Sequence, residues 1–229
     1  MIIERRHYFF GALIIALALF MQPISTLYIQ TLLGPKLSDI LQDMQVDPLE
    51  EFFSSNEIDQ DALAACMADE QTMSVVDNDV RLGESLGIQG TPATFLGRKD
   101  ASGNIVLYKE PISGALPEAS VREAINATNK VLSTTTITNT NLHIYGSPNA
   151  ETFLVKFSDL DCPFCASFFP TATGIVDSSN GKVALVYKHF PLSIHPDAYD
   201  KSLASECVAK QKGENAFFDF VKENFAQLQ

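Results

Sequence analysis

Hydrophobic and polar positions follow two different spacings along the chain. Between residues 35 and 86, apolar side chains recur every three or four positions in four segments, which predicts amphipathic helices at residues 37–44, 48–53, 58–68 and 72–86. Shorter apolar runs at residues 95–98 and 105–109, separated by turn residues, predict a hairpin, and a further helix is predicted at 117–128. The pattern as a whole therefore predicts an α/β fold.

The most informative stretch spans residues 152–177. A run with β-branched and aromatic residues precedes Cys162-Pro163-Phe164-Cys165, and an amphipathic run follows it. This order predicts a strand, a CxxC motif and then a helix, with Cys162 at the helix N-terminus. Proline suits the first helical turn, where no N–H group is needed.

This position favours redox chemistry. Free N–H groups and the positive end of the helix dipole favour a thiolate at Cys162, which would be the attacking sulfur. Cys165, one turn further on, can close a disulfide with it or resolve a mixed disulfide. A zinc site would need a second close pair of ligands, which Cys66 and Cys207 do not form. A structural disulfide seldom spans two residues at such a junction.

Further motifs of residues 142–229 support this interpretation. GSPNA, FSDLDCPFC, YKHFPLSIHPDA and ASECVA follow one another in this segment. In this order they resemble the front half of a DsbA-like thiol-disulfide oxidoreductase of the thioredoxin superfamily. The resemblance implies a thioredoxin-like fold with an inserted helical region.

A second segment resembles the back half of such a domain. It contains Thr91-Pro92 at the start of a predicted strand, where a cis peptide bond is plausible because proline is the residue that adopts one. In thioredoxin-like proteins the corresponding loop faces the CxxC motif and offers backbone groups to an extended substrate. The resemblance thus implies that Thr91, Pro92, Pro163 and Phe164 form the substrate-binding surface.

The two halves occur in inverted order. Residues 35–130 correspond to the back half and 142–229 to the front half, while the Ser/Thr/Asn-rich segment 131–141 is interpreted as a linker or, alternatively, a polar edge strand. One explanation is a circularly permuted single domain, including a version in which two chains exchange halves. The other is a tandem array whose second copy is cut short at Gln229.

The cysteine count favours the single domain. By the resemblance, Cys66 and Cys207 match the positions of a second, structural disulfide in DsbA-like relatives that have one. If the halves belonged to separate copies, each of these cysteines would lose its partner in an oxidising compartment.

The N-terminus differs from the rest of the chain. Arg5 and Arg6 precede an uncharged apolar run, and residues 1–34 are interpreted as a single-pass transmembrane anchor with the domain on the extracytoplasmic side, periplasmic or extracellular. The alternative is a signal that is cleaved, leaving a secreted protein. In either case cysteine pairs can persist in that compartment. The net charge of −12 argues against nucleic acid as a partner.

Other polar residues near the motif receive weaker assignments. Asp161 precedes the predicted helix and is expected to cap it, with tuning of the cysteine by Asp159 or Asp161 as the alternative. Lys156 is expected to be a solvated strand residue. His189 and His195 suggest a Cys–His hydrolase, but a CxxC thiolate reacts with its own neighbour instead.

The sequence therefore predicts a membrane-tethered thiol-disulfide oxidoreductase, with Cys162 attacking and Cys165 resolving. Its partners would be protein thiols or disulfides and possibly a membrane redox protein, and it would need no bound cofactor or metal. By resemblance, an oxidase is expected before a reductase or isomerase. The alternatives are a non-catalytic thioredoxin-like binding module and an incomplete fragment of a tandem protein.

Overall fold

Apolar runs of the sequence form the strands of a mixed sheet. The computed structural model describes residues 48–138, 140 and 142–228. Its strands are β1 (Ala93–Lys99), β2 (Ile105–Ser113), β3 (Leu132–Ile137), β4 (His143–Gly146), β5 (Thr152–Ser158) and β6 (Val183–His189). Within the described residues they form one six-stranded sheet in the order β3-β2-β1-β5-β6-β4.

The centre of this sheet joins distant parts of the chain. Strand β1 is antiparallel to β5, with Phe95 opposite Val155, and β5 is parallel to β6, with Val155 opposite Val186. Strands β2 and β3 extend the sheet beyond β1, and β4 pairs with β6 at the opposite edge. Strands that precede residues 131–141 and strands that follow them therefore share one sheet.

Helices surround the sheet. They are α1 (Pro48–Ser55), α2 (Gln60–Met67), α3 (Glu70–Ser85), α4 (Glu118–Asn126), α5 (Pro163–Asp177), α6 (Ala198–Lys212) and α7 (Glu214–Ala226). The mixed α/β thioredoxin-like class is confirmed. Among the described residues, no helix combines the length and apolar character that crossing a bilayer requires.

Side chains along β5 alternate between two apolar cores. Leu154 faces a core that contains Cys165 and the Phe220 ring of α7, whereas Phe153 and Phe157 face the second core on the other side of the sheet. Because β5 lies between two strands and under helices, its side chains are buried on both faces. The segment that leads into the CxxC motif is thus held firmly in place.

A disulfide connects the two segments of the chain within the helical region. Cys66 of α2 and Cys207 of α6 are bonded, with their Cα atoms 5.8 Å apart and 141 positions between them in sequence. This is the pairing that the family resemblance implies. Close by, Lys210 Nζ donates to the Thr72 hydroxyl at 2.6 Å.

The predicted linker and the predicted N-terminal elements have different outcomes. The linker interpretation is wrong for residues 132–137, because β3 pairs with β2 there and the polar edge strand is what forms. The first predicted helix, at residues 37–44, and the anchor predicted at 1–34 lie outside the described residues.

Candidate functional site

The two cysteines of the motif lie where β5 gives way to α5. Cys162 is the N-cap residue of α5, with an extended backbone, and Pro163 occupies the first turn. Cys165 follows one turn later and is fully buried, whereas Cys162 is 4% exposed. Both are free thiols. The strand-to-helix junction therefore presents one sulfur at the surface edge and keeps the other beneath it.

The proline loop faces this dithiol. The Thr91-Pro92 peptide bond is cis, and the Cys162 Sγ lies 3.5 Å from the Thr91 carbonyl oxygen, to which the thiol donates. Strand β1 brings the loop there, because it begins at Ala93, directly opposite Phe157 near the end of β5. Thr91, Pro92 and Cys162 therefore meet despite the 71 positions between Thr91 and Cys162.

The remaining predicted surface residue is Phe164, which projects into solvent. Its side chain is 67% exposed, an unusual state for a large aromatic ring. Beside the cis-proline, an open groove of about 500 Å³ is lined by Leu86, Ile88, Phe95 and Pro111 among others. An apolar ring next to a reactive sulfur and an adjacent groove suit contact with a polypeptide.

The two thiols differ in acidity. The hydrogen bond from the Cys165 thiol is the main cause that lowers the pKa of Cys162 to about 5, although burial opposes it. The Thr91 side chain and the backbone N–H groups of Phe164 and Cys165 lower this pKa further. Burial raises the pKa of Cys165 well above its usual value. At neutral pH, Cys162 is a thiolate and Cys165 a thiol.

A buried carboxylate organises the loops around the motif. Asp159 Oδ1 accepts a hydrogen bond from the Asp161 N–H at 2.7 Å, and Oδ2 accepts from the Leu192 N–H at 2.7 Å. The His195 Nδ1 lies 2.8 Å from the same Oδ2, and this hydrogen bond raises the pKa of His195. The Asp159 N–H in turn donates to the Cys165 sulfur at 3.4 Å.

The helix cap predicted at Asp161 is wrong. Cys162 occupies the N-cap position, and no side chain caps the helix there. The Asp161 carboxylate instead forms an ion pair with Lys201 of α6. Absence of a side-chain cap leaves the first N–H groups of α5 available to the Cys162 sulfur, consistent with its lowered pKa.

Comparison with protein families agrees with this geometry. The DSBA-like thioredoxin domain family matches residues 38–109, and a thioredoxin family matches residues 138–229. The chain is a DsbA-like protein of the thioredoxin superfamily.

Individual proteins match parts of this DsbA-like chain. The Na(+)/H(+) antiporter NhaA 1 of Mycobacterium sp. strain KMS is 38% identical over 89 residues, and that of Mycolicibacterium gilvum strain PYR-GCK is 35% identical over 88. These matches cover 37% and 36% of this chain but only 13% of each relative. The crystal structure of Pseudomonas aeruginosa DsbA2 matches at 34% identity and a TM-score of 0.35, covering 37% of this chain and 47% of that one.

Lys156 is a residue of this DsbA-like site that sequence reasoning misplaced. It was expected to be solvated, yet its side chain is fully buried on β5, beneath the dithiol. Its Nζ donates to the Cys165 carbonyl oxygen at 3.3 Å. The available signal was its place between Val155 and Phe157 in an otherwise apolar run, which is typical of a strand covered on both faces.

The two histidines nearest the motif each contact a buried carboxylate. In the described part of the chain, no group of three or more His, Cys, Asp or Glu side chains is arranged to hold a metal ion. His189 is buried, and its Nε2 lies 3.0 Å from a Glu206 oxygen, so this contact connects β6 to α6. His195 contacts Asp159, as described above, and thereby supports the loop that follows β6.

Proposed function

We propose that this DsbA-like protein is a thiol-disulfide oxidoreductase that forms or exchanges protein disulfides through Cys162 and Cys165. The observation that carries the proposal is a pair of unlike cysteines that faces the cis-proline loop. Cys162 has a pKa lowered to about 5, and its neighbour Cys165 is a buried thiol. A depressed pKa makes a cysteine both a thiolate at neutral pH and a good leaving group.

The proposed oxidase cycle uses these properties in two exchanges. A substrate thiolate attacks the Cys162 sulfur of the Cys162–Cys165 disulfide, and Cys165 leaves and takes up a proton. A second substrate thiolate then attacks the first substrate sulfur and expels the Cys162 thiolate. The substrate loses two electrons, which the dithiol gains, so no bound cofactor is needed. Because the Cys162 thiolate is stabilised, the last step is favourable, which supports an oxidase over a reductase.

Residues 35–130 and 142–229 would form one composite domain, with the family's two halves in inverted order. The pairing of β1 with β5 supports this organisation, as does the Cys66–Cys207 bond between the halves. The cis-proline loop supplied by the first half would then complete the site of the second. The alternative is that the two halves belong to separate copies of a DsbA-like domain. Non-reducing peptide mapping of exported protein distinguishes them, because separate copies would leave Cys66 and Cys207 unpaired.

The proposed location is extracytoplasmic. A disulfide such as Cys66–Cys207 persists in an oxidising compartment, and the apolar run after Arg5 and Arg6 would tether the domain to the membrane. A cleaved signal and a secreted domain are the alternative. A membrane redox protein is a suitable partner to restore the active disulfide, and matches to proteins named as antiporters agree with a membrane context.

The test uses the full chain and a reduced two-cysteine peptide. With oxidised glutathione as the terminal oxidant, we expect the protein to oxidise the peptide over many turnovers and Cys162→Ser to abolish this activity. Cys165→Ser should accumulate a mixed disulfide between Cys162 and glutathione. Alkylation of the reduced protein by iodoacetamide should rise with pH through a midpoint near 5, set by Cys162. Unchanged turnover in Cys162→Ser would overturn the proposal.

A non-enzymatic binding module is the competing function, favoured only by the exposed Phe164 and the neighbouring groove. Such a module would retain its polypeptide partner in Cys162→Ser and would show no turnover in the unmodified chain.

A further inference from the structure

A lysine that can gain or lose a proton lies directly under the dithiol. Lys156 is on β5, where its neighbours across the sheet are Thr94 of β1 and Tyr187 of β6. The alternation of β5 directs its side chain to the face that α5 covers, and its Nζ reaches the carbonyl oxygen of Cys165. The lysine head group is therefore fixed at the residue that would resolve mixed disulfides.

This lysine lacks the partner that buried cations normally have. In the part of the chain that the structure describes, Lys156 forms no ion pair with a carboxylate, although other buried cations such as Lys188 do. Aromatic rings surround its Nζ instead, with centroids 4.9 Å away for Phe225, 5.2 Å for Phe169 and 5.7 Å for Tyr187. The faces of aromatic rings attract a cation but do not neutralise its charge. Burial without a counter-charge therefore favours the neutral form of the amine.

The ionisable groups around Lys156 are few. Cys165 and Cys162 act on it from the start of α5, and their thiolates raise its pKa, while burial is the larger effect and lowers it to about 8. Tyr187 faces it from β6, and burial keeps that phenol neutral by raising its pKa well above the usual value. From α7 it meets the Phe225 ring, and from β1 the uncharged Thr94. The charge states of the two sulfurs therefore influence the protonation of the amine.

We infer that Lys156 is the proton partner of Cys165, both when Cys165 leaves the active disulfide and in the reverse step, when Cys165 resolves a mixed disulfide. This inference rests on the proposed oxidoreductase function and assigns a role that the two cysteines alone do not fill. A buried thiol needs somewhere to send its proton before it can attack. Lys156 is hydrogen-bonded to the backbone of the same residue, and its side chain is buried beside the thiol.

Resolution consists of one proton transfer and one thiol-disulfide exchange. The Cys165 thiol gives its proton to the neutral Lys156 amine, which leaves an ammonium beside a thiolate. This thiolate attacks the Cys162 sulfur of the mixed disulfide, the Cys162–Cys165 bond forms, and the substrate departs as a thiolate with the bond's electron pair. The ammonium then releases its proton to water. In the opposite direction, the ammonium protonates Cys165 as it leaves Cys162.

The experiment measures single-turnover resolution of a mixed disulfide between Cys162 and glutathione, as a function of pH. Lys156→Met keeps the length and apolar contacts of the side chain and removes its proton. We expect resolution at pH 7.5 to slow at least about tenfold, and the pH midpoint of resolution to rise, because positioned proton transfer typically contributes that much or more. The pH midpoint for alkylation of Cys162 should be nearly the same in Lys156→Met as in the unmodified protein.

The matched control is Lys99→Met. Lys99 lies on the neighbouring strand β1 with its Nζ 5.8 Å from the Phe153 ring, so this variant loses the same charge and a similar ring contact away from the thiols. It should resolve at the normal rate. Equal rates and equal pH profiles for Lys156→Met and the unmodified protein would overturn the inference while leaving the oxidoreductase intact. An unmodified protein that fails to resolve at all would instead overturn the proposed function, and this inference with it.

A measurement on the unmodified protein removes dependence on how the variant folds. The NMR shift of the Lys156 side-chain carbon next to Nζ should titrate near pH 8 in the reduced protein. In the oxidised protein the thiolates are gone, and the midpoint should fall further. A midpoint at the ordinary lysine value in both forms would refute the role.

Discussion

The edge strand β4 is attached to the helical region by a charged histidine, whose contribution to stability can be measured. His143 Nε2 lies 2.9 Å from a Glu206 oxygen of α6, and its Nδ1 lies 3.0 Å from a Glu214 oxygen of α7. Its ring also stacks on Phe217 with centroids 3.6 Å apart. Replacing His143 by Gln keeps a polar side chain of similar reach but removes the titratable charge.

The magnitude follows from the change in protonation. Burial alone would lower the pKa of His143, but the hydrogen bonds to Glu206 and Glu214 outweigh it and raise this pKa from 6.5 to about 9. At about 1.4 kcal/mol for each pKa unit, the charged form contributes about 3 kcal/mol to the free energy of unfolding. Because the folded-state pKa is the higher one, this contribution is complete below pH 6.5 and disappears as the pH rises through about 9.

The assay is urea unfolding of His143→Gln and its parent between pH 6 and pH 9.5. Both should carry Cys162→Ser and Cys165→Ser, which removes from each unfolding curve the pH dependence of opposite sign that the low pKa of Cys162 causes. Lys156 titrates in both proteins, so its effect cancels in the difference. Any loss of packing against Phe217 remains at every pH, whereas the electrostatic part does not.

The expected result is a stability difference that shrinks by about 3 kcal/mol as the pH rises from 6 to 9.5. A difference that stays constant over this range would show that His143 is neutral in the folded protein, and the reasoning on its charge would be refuted.

Two further substitutions test the connections between the segments. Replacing Cys66 and Cys207 by Ala removes a cross-link that closes a loop of 141 positions. The entropy of that loop in the unfolded chain predicts a loss of up to about 5 kcal/mol in the free energy of unfolding, measured by urea unfolding. A loss below about 1 kcal/mol would contradict this. Asp79→Ala removes the buried carboxylate that accepts from Lys188 Nζ at 2.7 Å and from the His189 N–H at 3.0 Å. It should cost about 3–5 kcal/mol, and Asp79→Asn less; equal stabilities of the Ala and Asn variants would argue against an ionic role.

Local signals were sufficient for most helices and for the core of the site. The helix predicted at residues 58–68 corresponds to α2, that at 72–86 to α3 and that at 117–128 to α4, each within two residues at either end. The CxxC motif likewise lies between a strand and a helix. Such features depend on neighbours in sequence, through hydrophobic spacing and turn residues, and so are visible in the chain itself.

Long-range contacts explain what the sequence did not disclose. Lys156 is polar and was expected to face solvent, but β5 is enclosed by β1, β6 and the helices, so even its lysine is buried. Asp159 binds the backbone of Leu192 and the ring of His195, more than thirty positions away. The spacing of apolar residues along the chain does not indicate which distant loop will supply such a hydrogen-bond partner.

The segment 131–141 shows a second kind of ambiguity. Its threonines are common both in polar loops and in exposed strands, and only the presence of β2 with an unpaired edge decides between them. Ser133 Oγ donates to the Leu107 carbonyl oxygen at 3.0 Å, which fixes the strand to its neighbour.

The pairing of β1 with β5 has a consequence for biosynthesis. A ribosome makes β1 and its proline loop first, and β5 about fifty residues later. Until then Phe95 and Leu96, which are almost fully buried in the finished sheet, have no central strand to lie against. The first half therefore cannot complete its sheet until β5, the strand that leads into the cysteines, has been synthesised. Until then its exposed apolar segments depend on chaperones for protection against aggregation.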